Sequence, residues 1–159
     1  MPRISVLLPT YNANRYLRGA IDSIIRQTVS DWELLIINEP FSGDGTEKTI
    51  DGYIAGDSRI RLIQNSKRIG ISASLNIGLE AARGEYIARM DADDISLPRR
   101  FERQVEFLES NTDIDVLGIK PVNIGSKGQW NIETDPSVLK ADCLFYTPFV
   151  HSTIMMKAD

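Results

Sequence analysis

The sequence predicts an α/β protein built on a mostly parallel central sheet. Two observations lead to this fold class. Short apolar runs alternate with longer segments of helical periodicity from residue 4 to about residue 111, an order that is typical of parallel strands joined by right-handed crossovers. A hydrophobic share of 42% and a charged share of 25% among 159 residues are ordinary for one globular domain with a core.

The bulk composition excludes several classes of protein. A net charge of −4 offers no overall basic face for nucleic acid, and the pairs Lys67-Arg68 and Arg99-Arg100 are interpreted as solvated surface or, at most, phosphate contacts. The single cysteine, Cys143, excludes an intrachain disulfide and a Cys-rich zinc site. Its apolar helical surroundings predict a buried structural thiol. The sequence shows neither a run of about 18 apolar residues nor a leader pattern, which favours a cytosolic protein.

The first 111 residues contain four predicted strands and four predicted helices. Each strand is a short apolar run bounded by turn formers; Pro9 is expected to end the first and Asn38 the second. The strands cover residues 4–8, 32–37, 60–63 and 86–90. The helices cover residues 15–27, a stretch around 50–54, residues 71–82 and residues 98–111. Pro98 is expected in the first turn of the fourth helix and Asn111 at its end.

After residue 111 the pattern predicts two further strands and one helix. The strands cover residues 116–122 and 149–156, and a polar connection, a hairpin or a mobile loop, covers residues 123–135. Asp135-Pro136 is a typical helix start. The apolar residues of that helix are Val138, Leu139 and Leu144, with Phe145 as a further candidate. The only histidine, His151, lies in the last strand, where a structural role is the usual one.

Three carboxylates, Asp91, Asp93 and Asp94, follow the fourth predicted strand directly. Like charges this close repel one another, so a folded protein keeps them together with a compensating partner. A divalent cation with oxygen ligands fits, and Mg²⁺ or Mn²⁺ would bring phosphate groups with it. The alternative is a solvated acidic loop in which Asp94 or Ser96 caps the helix that follows.

Three polar loops are expected to meet at one edge of the sheet: residues 9–12, 38–45 and 91–94. In an open α/β sheet, ligands bind beyond the carboxyl ends of the strands, so this edge is the expected binding cleft. Tyr11 could stack on a base, and Asn38 and Glu39 could accept hydrogen bonds from a base or a ribose. The chain lacks a G-x-G-x-x-G fingerprint after the first strand, a P-loop and a G-x-S-x-G elbow.

Three segments resemble the family 2 glycosyltransferases, which have the GT-A fold, a Rossmann-like αβα sandwich. They are residues 5–12 (SVLLPTYN), 27–33 (QTVSDWE) and 81–94 (AARGEYIARMDADD). The resemblance covers residues 3 to about 110, and residues 149–153 (FVHST) also resemble a segment of many members. It implies transfer of a sugar from a nucleotide-diphosphate donor, usually a UDP-sugar, with inversion at the anomeric carbon.

The resemblance also implies site residues. Asp91-Ala92-Asp93 matches the D-x-D motif, so that Asp93 would bind Mn²⁺ or Mg²⁺ on the diphosphate and Asp91 would lie near the ribose or a metal-bound water. Thr10 and Tyr11 match the loop that lies along the base, and Asn12, the next residue of that loop, is also expected to bind the donor. Gly70 and Asn76 match a loop and a helix start that close over the nucleotide. Taken singly, Gly70 could be a plain turn and Asn76 an exposed helical residue.

Two departures from the family pattern are expected to matter. Asn38-Glu39 stands where many members have an Asp pair that reads the base. The general base that deprotonates the acceptor is expected beyond Asp159, so the chain is expected to be one GT-A domain, residues 1–159, truncated at its C-terminus. Residues 1–110 would be the donor-binding half, and residues 111–159 an incomplete start of the acceptor half.

The expected partners are a nucleotide-sugar donor and a carbohydrate, glycolipid or protein acceptor, with no nucleic acid. Polysaccharide, glycolipid or glycoprotein assembly would place the protein in the cytoplasm, at the inner face of the membrane. One alternative is a non-catalytic nucleotide-sugar-binding or scaffold domain of the same fold. A sugar-nucleotidyltransferase is disfavoured because Pro9-Thr10-Tyr11-Asn12 is not a glycine-rich, basic triphosphate loop.

Overall fold

The computed structural model describes residues 1–125, 133–144 and 146–158. It contains one six-stranded sheet in the order β3-β2-β1-β4-β6-β5. The strands are β1 (Ile4–Thr10), β2 (Trp32–Asn38), β3 (Ile60–Gln64), β4 (Tyr86–Arg89), β5 (Val116–Leu117) and β6 (Met155–Lys157). The helices are α1 (Asn14–Ile25), α2 (Thr46–Gly56), α3 (Ile71–Ala81), α4 (Arg100–Ser110) and α5 (Pro136–Asp142), and a 3₁₀ turn covers His151–Thr153.

The first four strands are parallel, as the alternation of strands and helices predicts. β1 pairs with β2 on one side and with β4 on the other, and β3 pairs with β2. β6 runs antiparallel to both β4 and β5. The α/β class with a mostly parallel sheet is therefore confirmed.

Helices cover both faces of the sheet, which explains why its strands are apolar at nearly every position. Alternate residues of β1 point to opposite faces, so Val6 and Leu8 join one core while Leu7 joins the other. The first core includes residues of α1, α2 and α4, namely Leu17, Ile21, Ile24, Ile50, Phe101, Val105 and Leu108. The second core is smaller and packs against Leu75 of α3.

β1 continues through Pro9 to Thr10, so the prediction that Pro9 ends the strand is wrong. The carbonyl of Leu7 accepts a hydrogen bond from the Met90 amide on the β4 side, and the carbonyl of Thr10 accepts one from the Glu39 amide on the β2 side. Backbone groups alternate between the two neighbours, so Pro9 points toward β4. Pairing with β4 ends at Leu7, and the missing amide of Pro9 therefore removes no ladder bond.

The fourth helix begins two residues later than predicted. Pro98 lies in a turn, and α4 starts at Arg100 without a side-chain cap from its own N-cap residue. The alternative cap, Asp94 or Ser96, is therefore wrong. The amide of Phe101 instead donates to Oε1 of Gln27, a distant residue that follows α1.

The two C-terminal strands are shorter than predicted. The strand expected over residues 116–122 is only the two residues of β5, and the one expected over residues 149–156 is a 3₁₀ turn followed by β6. Thr153 explains the turn, because its hydroxyl donates to the carbonyl of Val150 at 2.7 Å and its carbonyl accepts from Gln104. His151 lies in this turn and is exposed, not in an apolar strand.

α5 begins as predicted but lies on the surface. The Asp135 carboxylate accepts hydrogen bonds from the amides of Ser137 and Val138, and no residue of the helix is buried. Cys143 is exposed, which corrects the prediction of a buried thiol. Phe145 and part of the polar connection, residues 126–132, lie outside the described residues. Within the described residues, no helix combines the length and apolar character needed to span a bilayer.

Candidate functional site

The loops after β1, β2 and β4 leave the same edge of the sheet, because the three strands are parallel and adjacent. From β1 the chain crosses to β2 and β3 on one side, and β4 then pairs on the other side of β1. The strand order therefore reverses between β1 and β4. This reversal is the topological switch point at which open α/β sheets bind ligands. The loop of residues 91–94, called the acidic loop below, and the loop of residues 11–13 flank it.

The acidic loop begins where β4 ends. Asp91 is partly exposed, and Arg89 holds both of its oxygens: Nη2 to Oδ1 at 2.6 Å and Nη1 to Oδ2 at 2.8 Å. Such bidentate pairs are among the stronger charge-assisted contacts. Ala92 packs against the core, whereas Asp93 and Asp94 are exposed. The carboxylates available to a ligand are therefore chiefly those of Asp93 and Asp94.

Burial raises the pKa of Asp91 above the ordinary aspartate value, and the charges of Asp94 and Asp93 raise it further, while Arg89 acts in the opposite direction. A second guanidinium, that of Arg100, donates to the carbonyl of Arg89, two residues before Asp91, at 2.9 Å. Burial lowers the pKa of Arg100 to about 10. The interpretation of Arg99-Arg100 as solvated surface is thus wrong for Arg100, which is only 7% exposed.

The donor set of this loop fits a divalent cation that arrives with its ligand. The described residues contain no cluster of three or more His, Cys, Asp or Glu that could hold an ion by themselves. Mg²⁺ is commonly held by one or two carboxylates, with phosphate oxygens and waters completing its octahedron. Asp93 and Asp94 provide carboxylates of this kind.

Thr10 and Asn38 are buried at the floor of the site. The Thr10 hydroxyl donates to Oδ1 of Asn38 at 3.0 Å, and Nδ2 of Asn38 donates to Oε1 of Gln64 at 3.1 Å. Thr10 is 3% exposed and Asn38 is fully buried. The two side chains thus join β1, β2 and β3 at their carboxyl ends.

Glu39 holds the start of α3. Its carboxylate accepts hydrogen bonds from the amides of Ile69 (3.0 Å) and Gly70 (2.9 Å) and from the hydroxyl of Ser74 (2.9 Å). Gly70 has a φ of +84° and provides no side-chain cap, so a carboxylate from another loop does so. Contact between Glu39 and a base stays a prediction, and any such contact must share this carboxylate with α3.

Tyr11 and Asn12 lie in the loop beside the switch point. The guanidinium of Arg68 lies over the Tyr11 ring, 4.0 Å from its centroid, so a planar ligand has to use the other face or displace Arg68. Asn12 has a φ of +48°, and its amide donates to the hydroxyl of Ser42 at 3.3 Å. That hydrogen bond joins the β1 loop to the β2 loop.

The structure brings most of the predicted site residues to one edge of the sheet, with one exception. Asn76 is exposed on α3, whose buried residues are Ser74 and Gly78, and no described hydrogen bond ties its side chain to the other candidates. Sequence reasoning missed Arg89 as the partner of Asp91. Its signal was visible as the one charged residue in the apolar run 86–90.

Known proteins share both the sequence pattern and this architecture. A family model described as "Glycosyl transferase family 2" matches residues 5–155. EpsE of Bacillus subtilis is 42% identical over 160 residues, which are 99% of this chain and 57% of EpsE. The chain therefore spans little more than half the length of that relative.

Two solved structures have the same fold at low sequence identity. Staphylococcus aureus TarS 1-349 in complex with UDP-GlcNAc matches with a TM-score of 0.80 and 21% identity, over 99% of this chain and 46% of TarS. The mannosyltransferase PcManGT from Pyrobaculum calidifontis, in complex with GDP-Man and Mn²⁺, matches with a TM-score of 0.72 and 21% identity, over 98% of this chain and 44% of PcManGT. These likenesses confirm the predicted GT-A fold.

Proposed function

The chain belongs to glycosyltransferase family 2, and we propose that the protein transfers a sugar from a nucleoside-diphosphate donor, with a UDP-sugar as the preferred donor. The acceptor would be a saccharide, a lipid or a protein, and the transfer would invert the anomeric carbon. The observation that carries this proposal is the acidic loop, which presents the exposed Asp93 at the switch point of the sheet. A diphosphate is the ligand that an ion on this carboxylate would bind.

Asp93 would hold Mn²⁺ or Mg²⁺ together with oxygens of the diphosphate. The bound ion would act as a Lewis acid that neutralises charge on the departing nucleoside diphosphate. Asp91, whose oxygens Arg89 already holds, would use its remaining lone pairs on the ribose or on a metal-bound water. Ala92 packs against the core and would set the spacing of the two carboxylates.

The base would lie between the β1 and β2 loops. Thr10 and Asn12 would shape the floor and the rim of this part of the site, and Tyr11 would stack on the base with the ring face opposite Arg68. Glu39 and Gly70 would form its wall through their mutual hydrogen bond. Asn76 is exposed on α3, six residues beyond Gly70, and would reach the nucleotide only if α3 approached it.

The bound ligands of the structural neighbours support the donor class. TarS was solved with UDP-GlcNAc, and PcManGT with GDP-Man and Mn²⁺, so both proteins bind nucleoside-diphosphate sugars. The two nucleobases differ, and the choice of UDP for this protein is part of the proposal. We also place the protein in the cytoplasm, in peripheral contact with the membrane on which glycolipid acceptors would be presented.

Calorimetric titration of the protein with UDP, GDP and UDP-GlcNAc, with Mn²⁺ and with EDTA, tests the proposal. We expect UDP and UDP-GlcNAc to bind with Mn²⁺ and to bind at least about tenfold more weakly in EDTA, a difference of about 1.4 kcal/mol. Mn²⁺ alone should bind weakly, because the loop supplies too few ligands without a diphosphate.

A folded protein that binds no nucleotide in Mn²⁺ would contradict this function. Tight binding of UDP-sugar without any transfer or hydrolysis by the full-length gene product would instead support a non-catalytic nucleotide-sugar-binding domain.

A further inference from the structure

Gln27 follows α1, outside every loop assigned to the donor, yet its side chain is buried and 7% exposed. It lies in the segment 27–33 of the family resemblance, for which the proposed function has no use. Strand pairing does not involve Gln27, since it precedes β2 by several residues. Its described side-chain hydrogen bonds join it to the Ser23 carbonyl of α1, to residues 96 and 97, and to the Phe101 amide in α4.

The amide group of Gln27 joins that chain at both ends. Nε2 lies within hydrogen-bond distance of the Leu97 carbonyl (2.8 Å) and of the Ser96 hydroxyl (3.1 Å) and carbonyl (3.4 Å). Oε1 accepts a hydrogen bond, at 3.1 Å, from the amide of Phe101, which lies in the first turn of α4. One side chain thus satisfies the backbone on both sides of Pro98, where α4 has no cap of its own.

Two neighbours of Gln27 strengthen the same attachment. The Ser23 hydroxyl accepts from the Ser96 amide at 3.0 Å, and Ser23 and Ser96 are both buried. The Thr28 amide donates to the carbonyl of Pro98 at 2.9 Å. The segment 96–101 is therefore held to the end of α1 by a polar network, in which an unmade bond would leave a buried group without a partner.

This attachment lies very close to the acidic loop. Only Ile95 separates Asp94 from Ser96, and Asp93 is three residues from Ser96. Inside the loop, the Asp94 amide bonds to the Asp91 carbonyl at 3.2 Å. Arg89 holds Asp91, whereas the exposed side of the loop that carries Asp93 is anchored through Ser96.

We propose that Gln27 is a positioning residue that holds Asp93 and Asp94 in the geometry needed to bind a cation with the donor diphosphate, an inference that rests on the proposed function. None of the described hydrogen bonds of Gln27 reaches Asp93 or Asp94. It acts by holding the chain that follows the two carboxylates. Its loss should therefore lower the affinity for nucleotide in the presence of the cation while the central strands stay folded.

The test compares Gln27→Ala and Gln27→Glu with the wild-type protein. Glutamate has the same length and still accepts from the Phe101 amide, but it cannot donate to Ser96 and Leu97. We expect both variants to bind UDP in Mn²⁺ at least about tenfold more weakly. Hydrogen exchange at the amides of Ser96 and Phe101 should become faster in Gln27→Ala, while exchange in β1 stays slow.

The matched control is Glu33→Gln, which perturbs a second buried polar network at the opposite edge of the sheet. Glu33 accepts from the Ser5 hydroxyl at 2.7 Å and from the Arg83 amide at 2.9 Å. This variant should lose thermal stability and keep the UDP affinity of the wild type. If Gln27→Ala does not fold, Gln27→Glu and Ser23→Ala serve in the same comparison.

A wild-type protein that binds no nucleotide would overturn the proposed function. Wild-type UDP affinity in both Gln27 variants, with unchanged exchange at Ser96 and Phe101, would overturn the positioning role alone. The UDP affinity of Glu33→Gln could also fall as much as that of a Gln27 variant with the same thermal midpoint. The loss would then follow from lowered stability, Gln27 would be a structural residue, and the positioning role would again be overturned.

Discussion

Replacing Glu39 with alanine should destabilise the protein, because this carboxylate caps α3 from another loop. The change removes the acceptor of the Ile69 and Gly70 amides and of the Ser74 hydroxyl. A hydrogen bond to a charged group contributes about 1.5–3 kcal/mol, and a carboxylate near a helix N-terminus adds about 0.3–1 kcal/mol. Since such contributions are not additive and water can enter the vacated space, we expect a loss of about 3 kcal/mol in the free energy of unfolding.

Thermal unfolding followed by circular dichroism measures this loss. For a chain of this size, about 3 kcal/mol corresponds to a fall of about 6–12 °C in the Tm. Glu47→Ala is the control, because the described residues give this half-buried glutamate one hydrogen bond, from the Ser42 amide at 3.2 Å, and losing one such bond should cost clearly less than losing the three bonds of Glu39. A Tm for Glu39→Ala equal to that of Glu47→Ala would refute the capping role.

Two further predictions concern the buried framework. A Cβ on Gly84 would lie 2.5 Å from the Ser5 amide nitrogen, so Gly84→Ala should lower the free energy of unfolding by about 1–3 kcal/mol. A Cβ on Gly52 of α2 would meet nothing within 4 Å, so Gly52→Ala should raise it by about 0.5–1 kcal/mol. Urea titration of both variants measures this contrast, and equal effects would contradict it. Burial acts to raise the pKa of Glu33, but hydrogen bonds from Ser5, Arg61 and the Arg83 amide outweigh it and leave the pKa lowered. Its ionised form therefore stabilises the fold above the ordinary glutamate pKa, and this stability is lost as pH falls through the lowered pKa. The difference in stability between wild type and Glu33→Gln should therefore be widest near pH 7 and should narrow in acid as Glu33 becomes protonated. A difference that stays constant throughout an acid titration would contradict the lowered pKa.

The parallel half of the fold could be predicted because its signals are local. Strands buried on both faces are apolar at successive positions, as β2 is from Leu34 to Ile37. The acidic loop could be placed for the same reason, since Asp91 follows a strand directly. The error at Pro9 has a different origin. Whether a proline ends a strand depends on which neighbour its amide would face, and that is known only once β4 is seen to stop opposite Leu7.

The parts that sequence reasoning missed depend on contacts between distant residues. Arg100 is buried because the carbonyls of Arg89 and Ile154 accept its hydrogen bonds, and nothing near Arg100 in the sequence predicts this. Glu39 appeared free to bind a base because its partners, Ile69 and Gly70, follow about thirty residues later. Cys143 belongs to an apolar pattern that the structure leaves on the surface.

Cation binding by Asp93 together with the donor diphosphate is tested by measuring the UDP affinity of Asp93→Asn in the presence of Mn²⁺. The exposed Asp51 of α2 supplies the control, Asp51→Asn, which makes the same chemical change away from the site. The expected result is that Asp93→Asn binds UDP at least about tenfold more weakly than the wild type in Mn²⁺ and that replacing Mn²⁺ with EDTA weakens its binding no further, while Asp51→Asn binds as the wild type does. An Asp93→Asn variant that binds UDP with wild-type affinity and wild-type dependence on Mn²⁺ would contradict it.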